Sequence, residues 1–417
     1  MSHIAIIGAG ITGVTTAYAL LERGYSVTVI DRQRYAGMET SFANGGQLSA
    51  SNAEVWNHWS TVLKGMKWML RSDAPLLMNP KPTWHKYAWL AEFVSNIMNY
   101  RDNTVETTRL AIAARKHLFA IAERENIDFD HVQRGILHVY WDKPSFQHAL
   151  KVNSMLVEGG LDRRPVTASE VKAIEPALHG DFHGGFYTPS DSTGDIHKFT
   201  YGLAQACERR GARFVFDATV NRIARDGLFC IGYSNGGSVG DAASEIVEAD
   251  GVVVCAGAAS RHFAAMLGDR VNIYPVKGYS ITVHLDDERS QKAAPWVSLL
   301  DDRAKIVTSR LGEGRFRVAG TRVQWHEPRH PRRPRQTAGR LDANAVSRRR
   351  YQPRRALGRP QADDAQHDAT GRQGPPGGRV LQHRPWPSRL DAVGRHRPDD
   401  RRDHFRRLPQ SGAAIAA

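Results

Sequence analysis

The chain has 417 residues, three cysteines and a formal net charge of +14. Cys207, Cys230 and Cys255 form no CxxC pair, so they supply too few ligands for a disulfide framework or a zinc site, and no metal is expected. The charge is not that of a nucleic-acid binder. Residues 322–417 hold 22 arginines, no lysine and 9 acidic residues, which leaves 35 basic and 34 acidic groups before them. That tail lacks the ordered motif or aromatic interleaving of a recognition module, so no specific nucleic-acid partner is expected.

The length favours two lobes. At the N-terminus, His3 to Ile7 is a short apolar run that enters glycine directly, without the basic leader and long apolar core of a signal peptide or anchor. No apolar stretch reaches the about 18 residues a membrane helix needs. The expected location is cytoplasmic, with membrane contact at most peripheral, at the inner face of the cell membrane.

The apolar run reads as a buried parallel strand, followed at once by Gly8, Gly10 and Gly13 in GAGITG. A helix follows, with Thr15 to Arg23 placing Ala17, Leu20 and Leu21 on one face. Gly24 ends it, and Ser26 to Ile30 makes a second strand closing on Asp31. Each glycine has its own physical reason. Gly8 permits the tight turn, Gly10 the approach of a pyrophosphate, and Gly13 the close packing of helix on strand. Backbone N–H groups at the helix start would meet the pyrophosphate, drawing Ile7, Ala9, Ile11 and Thr12 into the site. Asp31, 18 residues after Gly13, stands where a carboxylate can accept hydrogen bonds from ribose hydroxyls, with Arg32 beside it. Strand, glycines, helix, strand and acid in order within one unit of about 30 residues mark a dinucleotide site.

After Asp31 the chain does not resume regular βα alternation, as an NAD enzyme would. It enters a loop, 32–50, containing Glu39-Thr40-Ser41 and Ala43-Asn44-Gly45-Gly46-Gln47. Small residues there suit close backbone approach to a flavin ring, which favours FAD and adds Ser41, Asn44, Gly45 and Gln47 to the candidate site; the alternative is an ordinary surface loop. Further on, residues 55–100 are rich in aromatics, including Trp56, Trp59, Trp68, Trp84, Trp89 and Phe93. They read as core helices of a substrate lobe, with an interfacial surface at a membrane as the second reading. Gly194-Asp195 precedes a helix, Lys198 to Arg210, where Asp195 reads as an N-cap in preference to a ligand. Ala249 to Ala258 reads as an apolar strand that is either core or a second backbone edge near the cofactor. Lys277, in a strand-like run, is either a carboxylate partner or a snorkelling surface lysine.

These residues resemble bacterial D-amino acid dehydrogenases of the glycine/D-amino acid oxidase family. The resemblance is carried by Gly8 to Leu20, Val27 to Arg32 and Glu39 to Ser49, and continues through Gly135-Ile136-Leu137, Asp191, Gly194-Asp195, Val252 to Ala258 and Tyr274 to Ser280. It covers residues 1 to about 321. It implies FAD, oxidation of a D-amino acid to the imino acid and thence to a 2-oxo acid and ammonia, and a non-oxygen electron acceptor, with the respiratory chain as the family's habit. The expected fold is α/β. A Rossmann-like FAD domain from 1–50 and 190–260 is joined to a mixed-sheet substrate domain from 51–189 and 261–321. No Ser-His-Asp, His-rich or paired-carboxylate signature occurs before residue 321, so no acid or base is assigned and the chemistry is left to the flavin.

After Thr321 the resemblance stops. Residues 322–417 hold 11 of the 20 prolines and almost no apolar periodicity, so an irregular tail outside the family fold is expected. Its composition is that of a GC-rich gene read out of frame. Shifting the permitted codons by one base turns Leu357 to Ala365 into WAGLRPMMP and Gly378 to Leu390 into GVFYNTGHGHLGW. Both strings resemble C-terminal blocks of the family. A one-base frame change near Thr321 is therefore expected, and in the family the displaced GHGHLGW segment lies against the flavin.

Overall fold

The computed structural model describes residues 1–69, 82–236, 245–276 and 278–321. The tail 322–417 and Lys277 lie outside the described residues. The chain begins β1 (His3–Ile7), α1 (Ile11–Glu22), β2 (Ser26–Ile30), β3 (Gln47–Leu48), α2 (Trp59–Met69), α3 (Trp84–Ser95) and α4 (Tyr100–Arg124). It continues β4 (Ile136–Tyr140), α5 (Lys143–Glu158), β5 (Arg164–Thr167), α6 (Ala168–Ile174), β6 (Gly184–Thr188), β7 (Ser192–Thr193) and α7 (Ile196–Arg209). Then come β8 (Arg213–Val215), β9 (Ala218–Asp226), β10 (Leu228–Asn235), β11 (Glu245–Ala249), β12 (Gly251–Val254) and α8 (Ser260–Met266). The last described elements are β13 (Gly278–His284), α9 (Glu288–Ala293), β14 (Ser298–Asp301), β15 (Ile306–Leu311) and β16 (Arg315–Thr321).

The fold is α/β. Four parallel strands in the order β12-β1-β2-β8 form a Rossmann-like sheet. The strict alternation of β1 decides what covers each face. Ile6, with Val27 and Val29 of β2, packs on α1 and α7 through Val14, Ala17, Tyr18, Phe199, Leu203 and Cys207. Ala5 and Ile7 face the antiparallel sheet β11-β10-β9 through Val220, Ile223, Ile231 and Val247. A sheet covered on both sides needs strands with almost no polar side chains, as the composition of β1 and β2 supplies.

The larger sheet is mixed, in the order β13-β16-β15-β14-β4-β6-β5, with only β14 and β4 parallel among its described pairs. One face carries Leu137, Val139, Val166, Val297 and Leu299 against Val171 of α6 and Leu178. The opposite face receives the loop that follows β2. The short pair β3-β7 and the loop residue Gly46, whose carbonyl accepts from Gly194 N–H at 3.0 Å, join that loop to the start of α7.

Several sequence expectations need correction. Helix α1 starts at Ile11, not Thr15, because Gly10 itself serves as its extended N-cap. The strand expected over 249–258 is shorter, Gly251–Val254, since Gly257 takes a positive φ of 54° and opens a tight helical turn. Helix α7 begins at Ile196, two residues early, and Asp195 is its N-cap, accepting from His197 and Lys198 N–H groups. Among the described residues of the aromatic segment 55–100, 59–69 and 84–100 are helical, and three tryptophans are not core: Trp84 is 84% exposed, Trp56 58% and Trp59 57%, with Tyr87 and Met98 also exposed, whereas Trp89 is half-buried against Phe93 and Tyr274. An aromatic count carries no face information, so it could not separate a buried stripe from an exposed one. The side chains of Trp68 and the methionines of α2 lie outside the described residues.

Candidate FAD site

The site begins at the carboxyl ends of β1, β2 and β12, where Gly8, Asp31 and Cys255 emerge together. The chain leaves β1 for β2 on one side, while β12 pairs on the other, so this is the point where strand order reverses and where open α/β sheets take ligands. Gly8 adopts a φ of 108°, and a Cβ there would meet the Cys255 carbonyl oxygen at 2.4 Å. A Cβ on Gly13 would fall 1.8 Å from the Gly8 carbonyl oxygen. Both positions are thus closed to any side chain, which ties the sequence motif to backbone packing.

Gly10 caps α1 without a side-chain hydrogen bond, and no acidic residue occupies the first turn. The first turn therefore offers backbone N–H groups and a positive dipole end to an anion. Two of the nearby N–H groups are already held. Ala9 N–H donates to Asp31 Oδ2 at 2.5 Å, and Ile11 N–H donates to Ser41 Oγ at 3.0 Å. Gly10 is half-buried and Thr12 exposed, whereas Ile7 and Ala9 are buried, so the turn presents its open side at Gly10 to Thr12. The open side fits a pyrophosphate: a backbone cradle with no acidic residue in the first helical turn and no bulk on its glycines.

Asp31 is engaged within the protein by Ala9 N–H and by Gln33 N–H at 2.7 Å. Burial pushes its carboxyl up, and the two N–H groups oppose that rise. A carboxylate held at such a place costs stability at neutral pH, which a purely structural role would not favour. Arg32 is solvent-facing and pairs with Glu39 at 2.7 Å, an exposed ion pair of small energetic weight.

The loop then folds over on itself. Asn44 Oδ1 accepts from Gly46 N–H at 2.8 Å, and its amide donates to Ser41 O at 3.2 Å. This local ring lets Gly46 take a φ of 70°. A Cβ on Gly45 would touch Val307 Cγ2 at 3.1 Å and one on Gly46 would reach Leu311 Cδ2 at 3.1 Å, so the loop backbone lies directly on β15. Gln47 Nε2 donates to Ser298 Oγ at 2.8 Å. The candidate residues thus form one path, from the pyrophosphate turn through Ser41 to the face of the large sheet.

That face carries polar side chains from strands far apart in sequence. Asp191 is buried and accepts from Ala50 N–H at 2.9 Å and Ser51 N–H at 3.1 Å, and it pairs with Arg115. Ser51 Oγ lies 3.0 Å from His138 Nε2, and His138 Nδ1 lies 3.3 Å from the Arg163 guanidinium. Since the guanidinium only donates, Nδ1 accepts and the imidazole proton sits on Nε2. Burial first, and Arg163 second, hold this histidine well below its ordinary range, so it is neutral at pH 7. Sequence reading missed His138, Arg163 and Arg115. Its only signal was the block containing Asp191, because strand pairing, not spacing, brings these groups together.

A parallel sheet with an open glycine turn, an acid closing β2 and a small-residue loop laid over a mixed sheet define a dinucleotide-dependent redox fold. The chain belongs to the FAD dependent oxidoreductase family, whose model matches residues 3–400, and its cofactor is FAD. It is 72% identical over 321 residues to "D-amino acid dehydrogenase 3" of Mesorhizobium japonicum, covering 77% of this chain and 77% of the relative. The family match reaches past that aligned length. It is 40% identical over 328 residues to "D-amino acid dehydrogenase" of Paramagnetospirillum magneticum, covering 76% of this chain and 74% of the relative. Among solved structures, glycine oxidase from Geobacillus kaustophilus matches with a TM-score of 0.54 at 17% identity, over 78% of this chain and 73% of that one. Iminodiacetate oxidase from Chelativorans sp. BNC1 matches with a TM-score of 0.52 at 20% identity, over 82% and 77%. These two likenesses establish the fold.

Proposed function

We propose that the protein carries out oxidative deamination of D-amino acids, passing the electrons to a non-oxygen acceptor of the respiratory chain. The observation that carries the reading is the 72% identity to a D-amino acid dehydrogenase over 321 residues, a span of the length of the described fold. FAD would be held by the turn from Gly8 to Thr12 and the loop from Ser41 to Gln47, and it would supply the two-electron acceptor. Loss of the Cα–H and two electrons gives an imino acid, and water then releases ammonia and the 2-oxo acid. The protein's share is to hold the cofactor by backbone N–H groups, to exclude water under the 44–47 loop and to orient the substrate. The domain division 1–50 with 190–260 against 51–189 with 261–321 is part of this reading, supported by the two separate sheets. The test is turnover of D-alanine with an artificial dye acceptor. Pyruvate and ammonia in equal amounts without peroxide are expected; peroxide formed in step with oxygen uptake would establish an oxidase instead.

For the chain's location we propose a cytoplasmic protein in peripheral contact with the inner face of the cell membrane, a reading that its exposed aromatic residues support. Among the described residues no helix is long and apolar enough to cross a membrane. Trp56, Trp59, Trp84, Tyr87 and Met98 are exposed, and the 57 loop is tied to α3 by a hydrogen bond from Asn57 to Phe93 O at 2.9 Å. We read this as a peripheral interfacial patch, where tryptophan rings favour the headgroup level. Co-sedimentation with anionic vesicles that persists after Trp56→Ser with Trp84→Ser would overturn it. We also hold that a one-base frame change lies near Thr321, supported by the two shifted blocks. Resequencing that finds no alternative frame encoding them would refute it.

A further inference from the structure

Where the small-residue loop leaves the candidate site, it is paired residue by residue with the turn that follows β6. The Gly46 carbonyl accepts from Gly194 N–H at 3.0 Å, and Gln47 and Leu48 of β3 lie opposite Thr193 and Ser192 of β7. Backbone pairing ends there, and a run of two residues is too short to hold itself in water. The next residue of the turn, Asp191, continues it with a side chain. Asp191 is 1% exposed; its Oδ1 accepts from Ala50 N–H at 2.9 Å, and its Oδ2 accepts from Ser51 N–H at 3.1 Å and from the Ser49 hydroxyl at 3.3 Å. Arg115 of α4 meets Oδ1 as well, and its second terminal nitrogen donates to Ser190 Oγ at 2.8 Å, so helix and turn hold the carboxylate together. Burial pushes the carboxyl up, and the hydrogen bonds from Ser51 and Ala50 with the charge of Arg115 oppose that rise. A carboxamide of the same shape would turn an NH2 group toward one of these donors.

The hold reaches back into the loop through two short links. The Ser49 hydroxyl that donates to Asp191 accepts from Asn52 N–H at 3.1 Å, and Asn52 Nδ2 donates to Gln47 Oε1 at 2.9 Å. Gln47 is buried, and with its oxygen taken by Asn52 its nitrogen is turned to Ser298 Oγ on β14, at 2.8 Å. The Gln47 amide therefore has one orientation, and Asp191 sets it from the far end of the 47–52 turn. The backbone of Gly45 and Gly46, seated on β15, is held at its exit by that amide and by the hydrogen bond from Gly194.

We propose that Asp191 is a positioning residue: through Ala50, Ser51 and the Ser49–Asn52–Gln47 link it fixes the 44–47 loop beside the flavin ring and so sets the surroundings of the ring. The inference rests on the reading in which FAD lies along that loop. Protein groups beside a flavin tune how readily it takes electrons. A loop that drifts should therefore change the flavin's spectrum and its rate of reduction more than the affinity for FAD, to which the turn at the start of α1 contributes independently.

The test is visible circular dichroism of the flavin bound to the full chain, with FAD affinity, melting temperature and the rate of anaerobic flavin reduction by D-alanine, for the wild type, Asp191→Asn, Asn52→Ala and Val171→Ala. Val171 is a buried residue of α6 on the opposite face of the large sheet, and its truncation reports lost stability alone. Asp191→Asn should change the amplitude of the visible dichroic band about twofold and slow reduction about 10-fold, with FAD affinity and the KM for D-alanine held within about 3-fold. Asn52→Ala, a change at an exposed residue, should move the dichroism in the same direction at an unchanged melting temperature. Val171→Ala should lower the melting temperature and leave the dichroism as in the wild type. A wild-type dichroic band in Asp191→Asn would overturn the positioning role, as would the same spectral change in Val171→Ala. Should Asp191→Asn fail to fold, a wild-type band in Asn52→Ala would overturn it. A wild-type flavin that D-alanine does not reduce, with the dichroism still altered in Asp191→Asn and Asn52→Ala, would keep the role and overturn the D-amino acid reading. A full chain that takes up no FAD would overturn both the placement of FAD along the loop and the role of Asp191.

Discussion

The turn from Gly8 to Gly13 and the polar face of the seven-stranded sheet are built by opposite means. The turn works with backbone alone: its N–H groups are aimed by the end of β1 and the start of α1, and the side chains at Gly8 and Gly13 are absent because the carbonyls of Cys255 and Gly8 fill that space. The sheet face works with side chains contributed by β16, β15, β14 and β4, among them Arg317, Ser309, Ser298 and His138. A backbone device can be contained in six consecutive residues. A side-chain device needs the whole sheet in register, since a slip of one residue would turn every one of those groups to the other face.

That contrast can be broken most severely at the turn. Gly13→Ala places a Cβ 1.8 Å from the Gly8 carbonyl oxygen, and neither backbone can yield without unseating α1. We expect at least a 100-fold loss of FAD affinity, read as flavin absorbance retained through gel filtration; retention at the wild-type level would contradict the close-packing role. Second in size is Asp195→Ala. It removes the N-cap of α7 and one carboxylate of Arg315, so a loss of about 3 kcal/mol in urea unfolding is expected.

Asp31→Asn sharpens the comparison by separating function from stability. The Asp31 carboxyl is raised in the folded state, so the folded protein holds its proton more tightly than the unfolded chain does. Its contribution therefore favours folding below the unfolded value near pH 3.9 and weakens as pH rises through the folded value. At pH 7 the neutral amide should leave the melting temperature unchanged or higher while FAD affinity drops about 10-fold. A lower melting temperature with intact affinity would make Asp31 a structural acid only. The smallest effect belongs to Trp84→Ser, a surface change expected to alter stability by less than about 0.5 kcal/mol while reducing vesicle binding.

The legible part of this molecule was the part whose physics is local. β1, β2, the glycine turn and the capping aspartate before α7 were all visible because each depends on neighbours within a few residues. Ser41, Asn44 and Gln47 could be singled out as members of a small-residue loop, but not their partners: Gln47 reaches Ser298, 251 positions away. Arg317 shows the limit well. Its strand, Arg-Phe-Arg-Val-Ala-Gly, alternates like one with a solvated face, yet Arg317 is buried in the fold. The aromatic segment was only partly legible for the converse reason, since exposed Trp56, Trp59 and Trp84 read the same as Trp89, which packs against Phe93 and Tyr274.

If this chain holds FAD along the path from Gly10 to Gly46 and uses it to oxidise D-amino acids, its flavin must respond to one enantiomer of a substrate and not the other. The visible absorption spectrum of the purified full chain, taken anaerobically before and after D-alanine and, separately, L-alanine, tests this most directly. A flavin band that bleaches with D-alanine and not with L-alanine is the expected result. A protein that stays colourless after incubation with FAD, or a flavin band indifferent to both enantiomers, would contradict it.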